Sequence, residues 1–216
     1  MILIYLHICC INNWKSVVDN IILNIKKYNL YDKVKEIRAV VLGNKGNYIF
    51  DKKIKIIYES NNKRLYERKI LNILYDDSFK EDFNVLYLHS KGVKWNNKKQ
   101  CISDWVSLLL YFNIKYHEEI LNKLDNYDVI GVNLSLENII HFSGNFWWSK
   151  SSYIKTLNKE IMKQYCGPEF WITQKTSGKF LSLWNSNINH YRKRYPKEEY
   201  FNKPLKYISN KECMDT

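Results

Sequence analysis

The stretch ILIYLHICCINNWKSVVDNIILNIKKY (residues 2–28) decides the fold. Its first eight positions are a dense apolar run, the pattern of a strand covered on both faces. CINNW then breaks the run and offers Asn12 or Asn13 as a helix N-cap. Trp14, Val17, Val18, Ile21, Ile22, Ile25 and Tyr28 follow at helical spacing. Strand, loop, helix is the first unit of an α/β sheet. The start has no positive n-region and no small-residue cleavage site, so it reads as a buried strand rather than a signal peptide.

The same alternation continues. IRAVVLG (37–43) and IKIIY (54–58) read as strands, about 62–78 as a helix, and NVLYL (84–88) as a strand running into HSKG. A long helix is predicted over 102–124, a strand at DVIGV (128–132), and another within FSGNFWW (142–148). Short helices follow at SSYIKTL and, with Pro168 in the first turn, through EFWITQKT. FLSLW (180–184) is the last predicted strand. The expected fold is α/β, a mixed and mostly parallel sheet flanked by helices. One domain spans 1–185, divided into halves at 133/134, and 186–216 is expected as a basic tail.

The 216 residues suffice for a core without staples. Five cysteines (Cys9, Cys10, Cys101, Cys166, Cys213) show no CxxC spacing, which argues against a zinc site or disulfide framework and for a reducing compartment. The net charge of +12 either serves an anionic partner or is a solvated surface. YRKRYPK (191–197) is flanked by tyrosines, but no nucleic-acid motif accompanies it, so no specific nucleic acid is expected. No apolar run is long enough for a transmembrane segment.

Ligands of open α/β sheets bind beyond the carboxyl ends of the strands. Three stretches fall on that rim: HICCINNW, HSKGVKW and the turn near NLSLENIIHFSGN. In the second, Ser90, Lys91 and Gly92 offer a hydroxyl, an ammonium and close backbone approach, which suit a diphosphate or simply make a polar loop. In GPEFWI, Glu169 falls in a first helical turn, where it either acts as a general base or only complements the dipole. His7, His141 and His190 lack metal-ligand spacing.

Taken in order, IYLHICCINNWKSVVDN, LYERKILNILYD, VLYLHSKGVKW, YDVIGVN, HFSGNFWWSKSSYIKTL and GPEFWI resemble a family of small GT-A-like glycosyltransferases of bacterial polysaccharide clusters and large DNA viruses. The resemblance covers roughly residues 2–185. It implies a Rossmann-like half that takes a nucleotide sugar and a second half that takes a glycan acceptor. It implies catalytic roles for Glu169, as the base of an inverting displacement, and for Lys91, on the departing diphosphate. Donor contacts fall to His7, Asn12, His89, Ser90 and Gly92, and acceptor contacts to His141, Ser143, Asn145, Trp147 and Trp148. The two tryptophans are expected in the pocket wall or its immediate support; alternation along a strand sends at least one into the core. GT-A enzymes carry an Asp-x-Asp motif where this chain reads LHSKG, and no Asp-x-Asp occurs anywhere here. Manganese or magnesium is therefore left open and metal ligands are unknown; His89 is either a ligand or, as preferred, a hydrogen-bond donor. The implied setting is cytoplasmic, with peripheral membrane association through basic charge as an option. The competing reading is a GT-like module without catalysis that binds glycans or an assembly partner.

Overall fold

The computed structural model describes residues 1–96 and 98–210; Cys213 lies outside the described residues. An eight-stranded sheet forms its centre. The chain enters through β1 (Ile2–Cys9), crosses over α1 (Trp14–Lys27) to β2 (Val34–Leu42), and reaches β3 (Ile54–Ser60). It returns through α2 (Arg68–Asp77) to β4 (Asn84–His89), on the other side of β1. These four strands are parallel. α3 (Gln100–Leu110), a π-helical turn (Tyr111–Lys115) and α4 (His117–Lys123) then lead to β5 (Val129–Gly131). A small hairpin pairs β6 (Leu134–Ser135) with β7 (His141–Phe142). β8 (Trp147–Lys150) inserts antiparallel between β4 and β5. After α5 (Ser151–Ile154) and α6 (Gly167–Trp171), β9 (Phe180–Ser182) adds parallel to β5, and β10 (Ile208–Ser209) closes that edge antiparallel.

The period of two along each strand feeds two cores. Ile4, Leu6 and Ile8 of β1 join Leu86 and Leu88 of β4 on the face covered by α1 and α3. Leu3 and Tyr5 join Val85 and Tyr87 on the face covered by α2 and α5. β8 obeys the same rule: Trp148 packs with Phe146 on the first face and Trp147 on the second.

Several expectations need correction. Trp147 and Trp148 are both fully buried, because β8 is covered on both faces. The strand expected through FSGNFWW begins only at Trp147; Gly144 and Asn145 make a left-handed turn before it, at φ 101° and 56°. The helix expected from 62 starts at Arg68, after a 3-10 turn (Lys63–Leu65). The expected helix at 102–124 is interrupted by the π turn, and α6 ends at Trp171. Asn13 occupies the N-cap of α1, but its side chain makes no capping bond. Residues 186–210 do not hang free: His190 and Tyr200 are buried, Arg194 Nε donates to Asp104 Oδ2 at 2.8 Å, and β10 joins the sheet.

Candidate functional site

The chain leaves β1 toward β2 on one side and comes back to β4 on the other. That places the topological switch point between β1 and β4, where open α/β sheets hold ligands. A cleft of about 660 Å³ lies there.

Its floor is made by the strand ends. His7 and His89 are register partners on the parallel pair. Burial pushes both imidazoles down, His7 to about 4 and His89 to about 3, so both are neutral at physiological pH. The His89 Nε2 lies 3.0 Å from Gly144 O, and a carbonyl only accepts, so Nε2 carries the proton. His89 is therefore the expected donor, but it donates within the chain. His7 Nε2 is buried and has no hydrogen-bond partner among the described residues.

Beyond β4, the backbone N–H of Ser90 donates to His7 O at 2.8 Å, and its Oγ accepts from Cys9 N–H at 2.9 Å. Ser90 thus latches β4 to β1, with its hydroxyl engaged there. Gly92, at φ 90°, lies where an added Cβ would meet Ile102 at 3.2 Å. Its left-handed backbone turns the chain into Val93–Trp95. Lys91 stands half-buried at the cleft, its Nζ 3.8 Å from the Trp105 ring centroid. Burial lowers its affinity for the proton; the carboxylates of Glu169 and Glu67 partly restore it.

Glu169 also lines the cleft. Its Oε1 accepts from Gly144 N–H at 2.6 Å. Gly144 thereby joins His89, through its C=O, to Glu169, through its N–H, and its φ of 101° with a would-be Cβ 2.6 Å from Leu109 and 3.2 Å from Trp105 favours glycine there. The loop ahead of Glu169 is held by Arg68, whose Nη2 donates to Met162 O (3.0 Å), Lys163 O (2.8 Å) and Gln164 O.

Of the expected contacts, His7, His89, Ser90, Lys91, Gly92, Asn145 and Glu169 come together at this cleft. Asn12 does not line it; its Nδ2 donates to Val93 O at 2.8 Å and ties the β1 loop to the turn after Gly92. Nor do His141 or Ser143 line it. His141 Nδ1–H donates to Ile139 O at 2.8 Å and its ring meets Phe170, while Ser143 N–H donates to Asn133 O. Trp147 lies behind the wall as support, with its Nε1–H on Asn145 Oδ1 at 2.8 Å. Trp148 instead donates to Asn113 O, away from the cleft.

Sequence reasoning missed Glu67, whose Oε2 accepts from Tyr87 OH and Asn145 Nδ2, both at 2.7 Å. It also missed Lys63, Arg64, Tyr66 and Tyr165 at the cleft, while Lys94 falls within HSKGVKW and Tyr191 opens YRKRYPK. Among the described residues, no three His, Cys, Asp or Glu side chains converge as metal ligands. No helix there is long and apolar enough to cross a membrane.

A sequence family described as Domain of unknown function (DUF8361) matches residues 42–166, more than half of the chain, and the chain belongs to that family. The matched span holds Glu67, Lys91, Gly144 and Asn145 and ends three residues before Glu169. No curated protein matches the sequence. Among solved structures, the bifunctional IspDF from Campylobacter jejuni is similar at 14% identity and a TM-score of 0.44, over 94% of this chain and 54% of that one. The chain spans about half the length of that protein.

Proposed function

We propose that this DUF8361 member is a nucleotide-sugar-dependent glycosyltransferase with a GT-A-like, Rossmann-type fold, working in a reducing cytoplasmic setting. One observation carries the reading: at the β1/β4 switch point, a cleft of about 660 Å³ brings together an anchored carboxylate, Glu169, and a half-buried ammonium, Lys91. Transfer of a sugar needs both, a base for the incoming hydroxyl and a positive charge for the departing diphosphate.

The nucleoside diphosphate lies along the β4 end, beside Lys91 and under the rim of Lys63, Arg64 and Lys94. A hydroxyl of a glycan or similar acceptor approaches Glu169. Oε1 is committed to Gly144, so Oε2 receives the proton as the acceptor oxygen attacks the anomeric carbon. The bond from that carbon to the diphosphate oxygen breaks, its electron pair leaves with the diphosphate, and Lys91 meets the new charge. The displacement is in line and inverts the anomeric centre.

GT-A enzymes use a divalent cation at the β4 end. At the β4 end of this chain Lys91 already stands as a positive charge, Ser90 Oγ holds Cys9 N–H, and His89, with its Nε2–H on Gly144 O, keeps Nδ1 as its acceptor. No step is routed through a metal.

The test is turnover of nucleotide sugars by the wild type and by Glu169→Gln. Loss of the base is expected to lower turnover about 10²–10⁴-fold, with donor affinity nearly unchanged. Full turnover by Glu169→Gln removes Glu169 as the base. Donor binding without turnover by the wild type moves the chain to the non-catalytic, glycan-binding reading.

A further inference from the structure

The reaction above leaves Tyr66-Glu67-Arg68 without a role, although its residues line the cleft or brace it. Tyr66 stands at φ 47° and ψ −152°, a strained conformation for a bulky residue. Such strain persists only where surrounding contacts enforce it. Here Arg68 is fastened to the carbonyls of 162–164 on one side, and Glu67 to Tyr87 and Asn145 on the other. The strained link thus aims Glu67 into the cleft.

Glu67 Oε2 is used by Tyr87 and Asn145, while Oε1 takes no hydrogen bond from the described residues. The buried His7 also lines the cleft, and its Nε2 has no partner there. Native structures rarely leave such a nitrogen unpaired unless a ligand or water completes it. Burial keeps His7 neutral, so it offers one donor and one acceptor rather than a charge.

We infer that Glu67 and His7 form a hydroxyl-reading subsite on the cleft floor, which takes the uncharged, hydroxyl-rich ring of the donor, a neutral hexose rather than a carboxylated sugar. The inference rests on the donor reading of this cleft. A carboxylate with a free oxygen accepts from neighbouring ring hydroxyls, and a neutral imidazole adds one further bond. A sugar carboxylate would instead meet Glu67 at close range, like charge against like charge in a partly desolvated site.

Glu67→Gln is the discriminating variant. The amide oxygen can keep the bonds from Tyr87 and Asn145, while the NH₂ replaces the free acceptor by a donor. Calorimetric titrations would use uridine and guanosine diphosphates and their neutral-hexose and hexuronate conjugates. In the wild type, the neutral conjugate is expected to bind about tenfold tighter than the hexuronate. Glu67→Gln is expected to weaken the neutral conjugate about tenfold and the bare diphosphate less than about twofold. Equal binding of hexose and hexuronate overturns the inference, as does a variant that weakens conjugate and diphosphate alike or neither. Should the variant fail to fold, the wild-type ratio decides alone. A wild type that binds none of these compounds overturns the donor reading itself, and this inference with it.

Discussion

The two ends of α2 carry similar chemistry under opposite rules. At its C-terminal end, Asp77 Oδ2 accepts from Tyr5 OH at 2.7 Å and from Arg38 Nη1 at 3.1 Å, and Lys80 adds a third bond. At its N-terminal end, Glu67 accepts from Tyr87 OH, the register partner of Tyr5 on the next strand. Its other donor is the amide of Asn145, not a guanidinium. The helix dipole opposes Asp77 and favours Glu67. At the end the dipole opposes, the carboxylate bonds cations directly; at the other, it bonds only the neutral Tyr87 and Asn145. Arg38 uses four of its five N–H donors, bonding Glu36, Tyr5, Asp77 and Glu81 at 2.5–3.1 Å. The cleft end keeps a free carboxylate oxygen, an unpaired imidazole nitrogen and a lysine whose positive charge is opposed by burial. A closed cluster stabilises; an open one is arranged for something that arrives.

Lys91→Met breaks the open end. Turnover is expected to fall about 10²–10³-fold, while the melting midpoint holds or rises, since a half-buried charge is removed. A melting midpoint that collapses together with activity would make Lys91 a structural residue. Arg38→Leu breaks the closed end. It strands carboxylates that are mostly out of solvent and should cost about 3 kcal/mol, or roughly 6–12 °C in melting midpoint, while kcat/KM of the folded fraction stays within about twofold. A midpoint unmoved by Arg38→Leu would show that the cluster is dispensable.

Acid sharpens the contrast with the smallest effect. His7 (about 4), His89 (about 3) and His190 (about 4) all lie below the ordinary histidine value of 6.5. The unfolded chain takes up these protons first, so their contribution is complete above about pH 6.5 and is lost as the pH falls toward 4 for His7 and His190 and toward 3 for His89. At Asp77, burial pushes the carboxyl up, but Lys80, Tyr5 and Arg38 outweigh it, so its contribution survives to lower pH. Hydrogen exchange between pH 7 and 5 should show protection falling at the ends of β1 and β4 before it falls around Arg38. Simultaneous loss would erase the distinction between the two ends.

Much of the fold was legible in the sequence because apolar spacing carries it. β1, α1, β2 and β4 fall where Ile, Leu and Val recur at strand or helix period. The placing of Lys91, Gly92 and Glu169 at the cleft was legible because they follow a strand end or a proline-marked turn. Glu67 was not, since a glutamate among Arg64, Arg68 and Lys69 reads like any polar helix face. Nothing in a tyrosine announces the positive φ of Tyr66, which tertiary contacts impose. Trp147 and Trp148 were only half legible, as support and core rather than as acceptor contacts, for a related reason. Aromatic residues suit a sugar-binding wall and a doubly covered strand equally well, and only the neighbours of β8 decide between them.

The place of β8 also dictates an order of events during synthesis. β8 follows both β4 and β5 in the chain yet lies between them. Until residue 150 has been made, those two strands each show an unpaired edge to the solvent, a template for pairing with other chains. A nascent chain stopped at 133 therefore has no closed sheet to rest in. Gly144 and Asn145 immediately precede β8, so the step that seals the two edges also delivers the backbone that holds Glu169 and Glu67. Pairing of β8 thus links the middle of the sheet to one wall of the cleft, and a fragment that ends at 133 is expected to aggregate rather than fold as a smaller binding domain.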